Sequence, residues 1–364
     1  MKNILKIFLL IPFLAACVDL YDPGLKSTQQ RLVVESQLTT RLEYQYVFLT
    51  YDAGYNGDET NFKFLVKRAK VSITDDKGKV YEFIDEIAQS NQIKTPEGYN
   101  YRSATKFNAE VGRSYKLKIE TLDGKKYESS LETVLAVPRI TKTYTEFKET
   151  VSPAKIAGNF NVFVDTKDPA DAKNYYMWRT YNVEQINFCR EWYIYGSGGD
   201  VTEAFIDKCC QPCYEKKVCE DCFELGNDKL TNGNTITKQY VAQIPYLYNT
   251  PYYLVINQYS LNEAAYRYWN ALKQQSKNSG GLFDATPQSL QGNIKNKTNE
   301  NEEVLGYFTV SDVYDQITYV DRNLSSPKPL PYEEYGAIFK RTEKCWPCEE
   351  TYKRSKFAPP GWRF

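Results

Sequence analysis

Hydrophobic and polar residues alternate with a period of two along much of the chain, which is typical of β-strands with one buried face. The clearest case is residues 115–120, where tyrosine, leucine and isoleucine alternate with two lysines and a glutamate. Similar runs lie at 31–38 and 69–73, and turn residues follow at 75–78 and 123–124. The pattern predicts a mainly β chain.

Regularly spaced short strands without a helical period indicate an Ig-like or transthyretin-like β-sandwich at residues 30–137. The boundary is placed at Val137, because a residue before proline is held in an extended conformation. A second series of β patterns then runs from 140–147 to 317–320, so residues 138–364 are predicted to form a second β-rich part.

One segment of this second part has helical periodicity. In residues 262–276, Ala265, Tyr268, Trp269 and Leu272 fall on one stripe, as the core-facing side of a helix requires. We therefore predict a single helix there, with the stripe packed on the second sheet.

Residues from about 187 to 234 differ in composition, being rich in cysteine, charged residues and glycine. They predict an irregular, disulfide-rich insertion. With Cys17 set aside, the chain has eight cysteines, an even number as a disulfide framework requires. The candidates are Cys189, Cys209, Cys210, Cys213, Cys219, Cys222, Cys345 and Cys348.

Two alternatives to disulfide bonds remain for these cysteines, a zinc site and a redox site. Four of them could bind zinc, although the gap from Cys213 to Cys219 is short for a zinc ribbon. The Cys345–Cys348 pair has the Cys-x-x-Cys spacing of thioredoxin-type redox sites, but no βαβ pattern surrounds it. We favour structural disulfides and predict neither a metal nor a cofactor.

The N-terminus has the pattern of a secretory signal. Lys2 and Lys6 precede a short apolar run at 7–13, and Leu-Ala-Ala precedes Cys17. The run is too short to span a bilayer as a helix. Residues 1–16 are thus the predicted signal peptide and residues 17–29 a tether. A cysteine at this place resembles the lipobox of bacterial lipoproteins, which implies cleavage before Cys17 and acyl chains, such as palmitate, on that residue. The alternative is an ordinary signal peptide with a chance cysteine.

Composition limits the chemistry. The chain has no histidine, which excludes Ser-His-Asp triads, Cys-His dyads and His-Glu-x-x-His zinc sites. Cleavage before Cys17 removes two lysines and leaves 44 Lys and Arg against 46 Asp and Glu, so no basic surface favours nucleic acid. The 31 tyrosines, 18 phenylalanines and 5 tryptophans suit half-buried strands, or a binding surface for a glycan or peptide.

Three short motifs together resemble one protein family: residues 31–39, the triplet at 292–294 (Gly-Asn-Ile) and the triplet at 306–308 (Gly-Tyr-Phe). The family, domain of unknown function 4249, comprises Bacteroidota lipoproteins, and a cysteine cluster near the C-terminus is similar too. The resemblance implies an outer-membrane location and a partner such as a TonB-dependent receptor. It supplies no catalytic residues, and the cysteine-rich insertion and the Cys-Trp-Pro-Cys sequence are departures from it.

We therefore predict a lipid-anchored outer-membrane binding or accessory protein, at the periplasmic or the cell-surface face. Its predicted partner is a TonB-dependent receptor or another outer-membrane barrel. We expect no enzyme and no catalytic residue. The alternatives are a surface lipoprotein that binds a glycan or peptide, and a histidine-free hydrolase that uses carboxylates.

Overall fold

The structure is a computed structural model that describes residues 30–52, 64–90, 98–152, 155–170, 173–186, 191–195, 202–206, 213–229, 231–246, 252–276, 290–322, 348, 350–351 and 353–363. Within these residues the fold is mainly β with two helices, which confirms the predicted class.

The strands and helices follow one another as β1 (Leu32–Thr39), β2 (Tyr46–Tyr51), β3 (Lys70–Asp75), β4 (Val80–Asp85), α1 (Glu86–Ser90), β5 (Tyr101–Ser103), β6 (Ser114–Glu120), β7 (Lys126–Ser129), β8 (Glu132–Thr133), β9 (Ile140–Ser152), β10 (Lys155–Lys167), β11 (Tyr175–Ile186), β12 (Glu191–Tyr195), β13 (Thr202–Ile206), β14 (Cys213–Asn227), β15 (Thr235–Pro245), β16 (Tyr252–Leu261), α2 (Glu263–Ser276), β17 (Ile294–Asn296), β18 (Leu305–Ser311), β19 (Val313–Val320) and β20 (Arg354–Ser355).

The first sheet has ten strands in the order β17-β7-β6-β3-β4-β5-β2-β1-β18, with β8 paired to β6. It is nearly closed and surrounds one hydrophobic core. Alternate residues of its strands are buried, as the period of two requires: Tyr115, Leu117 and Ile119 of β6 are at most 2% exposed.

Two strands of this sheet come from far beyond Val137. β17 pairs antiparallel with β7, and β18 pairs parallel with β1, so that Val33 lies opposite Leu305. Phe308 and Val310 of β18 belong to the same core as the N-terminal strands. That residues 30–137 fold independently stays a prediction. A fragment that ends at residue 137 would lack β17 and β18, the two edge strands of the sheet.

The second part contains a three-stranded sheet, β15-β10-β9, and a five-stranded sheet, β19-β16-β11-β14-β20. The central strand β16 is buried at all ten positions. Gln258 of β16 is fully buried and links the two sheets, since its Oε1 accepts hydrogen bonds from Trp178 Nε1 at 2.8 Å and Thr166 Oγ1 at 3.0 Å. Its Nε2 donates to the carbonyl of Pro138 at 2.7 Å. These hydrogen bonds of Gln258 fix how the two sheets pack on each other.

The segment predicted as an irregular insertion contains regular structure. β12 and β13 form a hairpin, and β14 is a strand of 15 residues paired with β11. Six of the 15 residues of β14 are charged, which hides the alternation that identifies strands elsewhere. β14 also contains a bulge that shifts its register with β11. Arg179 lies opposite Phe223, whereas Tyr181, two residues further along β11, lies opposite Val218.

The chain passes directly from the first sheet to the second at Asp312, which separates β18 from β19. The Asp312 carboxylate accepts hydrogen bonds from Thr40 Oγ1 at 2.7 Å and from the backbone N–H of Val137 at 2.9 Å. Nearby, Arg41 Nε donates to Asp315 at 3.0 Å. These contacts join the end of β1, the end of the N-terminal part and the start of β19 at one point.

Among the described helices, neither is long and apolar enough to cross a membrane.

Candidate functional site

A cleft of about 1190 Å³ lies between helix α2, the segment 290–293 and the turn between β7 and β8. We call it the α2 cleft. The residues that matter below are Ser130, Glu132, Asn262, Arg267, Tyr268, Asn270, Gln274, Gln291, Gly292, Asn293 and Tyr307, all of which line it. Its volume is large enough for a small-molecule ligand.

Helix α2 forms one wall, and its position follows from its sequence. The Oδ1 atom of Asn262 accepts a hydrogen bond from the backbone N–H of Ala265 at 2.8 Å, which caps the first turn. Ala265 and Trp269 are buried, as the helical stripe predicted, and Tyr268 and Leu272 pack against the same cluster. Trp269 Nε1 donates to Thr309 Oγ1 of β18 at 3.1 Å. The buried stripe packs against Met177, Tyr259 and Leu261 of the five-stranded sheet, as predicted, and also against Tyr307 of β18 in the first sheet.

The opposite wall depends on two glycines that bring three backbone segments into contact. A Cβ atom on Gly292 would lie 1.8 Å from the carbonyl oxygen of Gly306, and a Cβ on Gly306 would lie 1.9 Å from that of Val34. Gly306 also has a φ of +92°, which side chains other than glycine rarely adopt. Both positions therefore require glycine.

Asn293 closes the gap in the first sheet. Its Nδ2 donates to the carbonyl of Phe308 at 2.9 Å, and its Oδ1 accepts from the Phe308 N–H at 2.9 Å. The side chain thereby satisfies both backbone groups of an edge residue in β18, as a neighbouring strand would. Its own carbonyl accepts from the Ser130 N–H at 2.7 Å. Asn293 connects the β17 edge to the β18 edge.

Glu132 is the acidic residue of the cleft and is only 4% exposed. Its carboxylate accepts hydrogen bonds from Asn293 Nδ2 at 3.0 Å, from Asn262 Nδ2 and from Ser130 Oγ. No Lys or Arg among the described residues pairs with it. Three neutral donors therefore hold this carboxylate, which fixes the helix cap, the closing asparagine and the β7–β8 turn relative to one another.

Tyr307 forms part of the cleft wall on the outer face of β18. The residue is 3% exposed, and its hydroxyl group has no hydrogen-bond partner among the described residues. Its ring lies 4.9 Å from the ring of Tyr268 between centroids. Burial, and to a smaller extent the Glu132 carboxylate, raise the pKa of Tyr307 above its usual range. The hydroxyl is an uncommitted donor and acceptor.

A second, smaller cleft of about 340 Å³ adjoins the first. The two share Tyr268 and Tyr307, and Arg31 at the start of β1 lines the smaller one. Arg31 is held there by ion pairs with Asp52 and Glu303, each at 2.8 Å. The two clefts therefore lie close to Arg31, near the beginning of the described part of the chain.

The structure brings four of the candidate cysteines together in two disulfides. Cys213 bonds to Cys348, and Cys219 bonds to Cys222 across the bulge of β14. Disulfide bonds are thus present, and Cys348 is bonded to Cys213 rather than to the Cys345 of a redox pair. The other candidates, Cys17, Cys189, Cys209, Cys210 and Cys345, lie outside the described residues.

In the described residues, no cluster of three or more acidic or cysteine side chains is suited to hold a metal ion. The four cysteines in disulfides are not thiolates and cannot bind zinc in this state. The zinc interpretation therefore finds no support in this part of the chain.

One comparison with known proteins is positive. A family model described as "Domain of unknown function (DUF4249)" matches residues 18–317. The chain belongs to the DUF4249 family. No curated protein matches it. The family match spans the first sheet, α2 and the whole α2 cleft, and it confirms the family that the three sequence motifs resemble.

Two of those motifs now have a physical explanation. Gly292 and Gly306 allow the close backbone approach, and beside them Asn293 supplies a closing hydrogen bond and Tyr307 a buried hydroxyl without a partner among the described residues. Sequence reasoning missed Glu132, for which no local signal exists. Asn262 was visible only as the first residue of the predicted helix, and the structure places it one residue before the helix begins, as its cap.

Replacement of Asn293 by alanine is expected to destabilise the fold by about 2–4 kcal/mol, because it leaves the buried N–H and C=O of Phe308 unpaired. The measurement is the midpoint of urea denaturation followed by tryptophan fluorescence. Asn108→Ala is the control, since Asn108 is exposed and, among the described residues, its side chain bonds only its neighbour's carbonyl. Equal midpoints for the two variants would show that Asn293 does not close the sheet.

Proposed function

We propose that this DUF4249 chain is a lipid-anchored outer-membrane protein that acts by binding, as an accessory of a TonB-dependent receptor or another outer-membrane barrel. The observation that carries the proposal is the α2 cleft, a preformed polar and aromatic site beside the start of β1.

The distance to the membrane supports this role. In the proposal Cys17 carries the lipid, and the 13 residues 17–29 connect it to the described fold. Such a tether spans at most about 45 Å when fully extended. The cleft beside Arg31 would therefore stay close to the membrane surface, where the loops of a barrel protein are accessible. Tethering also raises the effective concentration of each partner for the other.

The chemistry of the cleft supports binding rather than hydrolysis. Glu132 is the one carboxylate among its described lining residues, and three donors occupy its oxygens. Glycoside hydrolysis by carboxylates needs two of them across the scissile bond. The same cleft favours a second candidate function, a surface lipoprotein that binds a glycan or peptide, and this function is compatible with a receptor partner.

Cys17→Ala is expected to move most of the protein from the membrane to the soluble fraction. Each buried CH₂ contributes about 0.8 kcal/mol, and only several acyl chains together give stable anchoring. Immunoblots of washed outer membranes measure the change, with Ser27→Ala in the tether as the control. Retention of Cys17→Ala in those membranes at the level of Ser27→Ala would exclude the anchor.

The partner is tested by mild detergent extraction of the full chain and purification on a C-terminal tag, followed by mass spectrometry. A barrel protein that co-purifies in stoichiometric amount, both before and after cross-linking in cells, is the expected result. Recovery of the chain alone in both conditions would overturn the partner proposal.

A further inference from the structure

We propose that the α2 cleft binds a neutral oligosaccharide and that the Tyr307 hydroxyl forms its missing hydrogen bond with a sugar hydroxyl. This inference rests on the proposed binding function and names the class of ligand.

The first support is the state of Tyr307. Buried polar groups in folded proteins nearly always have a hydrogen-bond partner, and leaving one without a partner is unfavourable. The Tyr307 hydroxyl has none among the described residues, although the residue is 97% buried and is one of those that line the cleft. A ligand hydroxyl in the cleft would satisfy it.

The second support is the balance of charge. Of the charged residues that line the α2 cleft in the described part of the chain, Glu132 is held by three donors and Arg267 is paired with Glu263 one turn away on the helix. An anionic ligand would find Arg267 already paired, and a cationic ligand would find the Glu132 carboxylate only 4% exposed and already bonded to three donors. The cleft therefore favours a neutral one.

The third support is the kind of polar group in the walls. Asn270, Gln274 and Gln291 present carboxamides, which donate and accept hydrogen bonds, as sugar hydroxyls do. The half-buried ring of Tyr268 offers an apolar face beside them, on which the C–H groups of a sugar ring can pack.

An extended peptide fits less well. Peptides in this conformation are usually bound by pairing with a free sheet edge. At the cleft, the edge of β18 is already occupied, since Asn293 bonds both backbone groups of Phe308. We therefore argue for the oligosaccharide and treat peptide binding as an outcome of the test.

The experiment uses the full mature chain in detergent. An array of neutral oligosaccharides (α- and β-linked glucans, mannans, xylans and galactans), acidic oligosaccharides and neutral peptides is screened, and the tightest ligand is titrated by calorimetry. We expect a neutral oligosaccharide. Tyr307→Phe should weaken its binding about tenfold, the loss of one hydrogen bond of about 1.4 kcal/mol, without lowering the midpoint of urea denaturation.

Two further variants make the result specific. Tyr314→Phe, on β19 outside the cleft, is the matched control and should bind as the unmodified chain does. Gln274→Ala changes an exposed residue of α2, so it tests the cleft even if Tyr307→Phe fails to fold, and it should weaken binding severalfold.

The proposal is overturned if no neutral oligosaccharide binds, if only acidic sugars or peptides bind, or if binding is the same in the Tyr307, Gln274 and Tyr314 variants. Failure of the ligand class and failure of the partner are distinguishable. A barrel that co-purifies with a chain that binds no sugar contradicts the oligosaccharide alone, whereas sugar binding without a co-purified barrel contradicts the partner alone.

Discussion

Gly306→Ala is expected to prevent stable folding, with a loss of more than about 4 kcal/mol in the free energy of unfolding. The new Cβ would lie 1.9 Å from the carbonyl oxygen of Val34 in β1, and backbone atoms cannot move aside as a flexible side chain could. The φ of +92° adds strain for any residue with a Cβ. The parallel pairing of β18 with β1 would therefore be lost.

The measurement compares soluble yield and the urea midpoint with those of Gly124→Ala. Gly124 has a similar φ of +82°, but a Cβ there would meet nothing within 4 Å. Gly124→Ala is therefore destabilised by the conformational penalty of about 1–2 kcal/mol alone, without a clash between the new Cβ and the backbone. If the two alanine variants are equally stable, close approach at Gly306 does not hold the strands together.

Removal of the Cys213–Cys348 disulfide by a double alanine substitution is expected to cost about 5 kcal/mol, because the bond closes a loop with a sequence separation of 135. Both sulfur-bearing residues are buried, and β20 pairs with β14 directly beside Cys213. Without the bond, the segment that leads to β20 loses its covalent cross-link to β14.

The double alanine variant of Cys219 and Cys222 is the control. Its separation of 3 residues predicts a cost of only about 2 kcal/mol by the same chain-entropy relation. Urea denaturation under non-reducing conditions measures both. Equal losses in the two double variants would show that loop closure is not what stabilises the C-terminal segment.

The predictable part of the fold is the part that depends on local pattern. Alternation identified β3 and β6, and the helical stripe identified α2 together with its buried Trp269. Strand β14 was missed because its many charges and its bulge at Cys219–Cys222 break the period of two. The local sequence pattern indicates which face of a strand is buried only where that face is uniformly apolar.

The candidate site could not be predicted in the same way. Glu132, Asn262, Asn293 and Tyr307 come from four separate segments that meet only after the first sheet has closed. The pairing of β1 with β18 brings these segments together, and the local sequence pattern of neither strand identifies the other as its partner. Two of the four residues lay in motifs known from the family resemblance, but their roles became visible only with their contacts.

The parallel pair of β1 and β18 also determines when the protein can finish folding. Val33 and Leu305 are adjacent in the sheet but 272 residues apart in the chain. Contacts of such long range form slowly, and during synthesis β1 emerges long before its partner exists. Until then β1 presents an unpaired edge that can template aggregation. The edge of β1 stays open until Leu305–Ser311 of β18 are available to pair with it, and truncation before residue 305 would leave it open permanently.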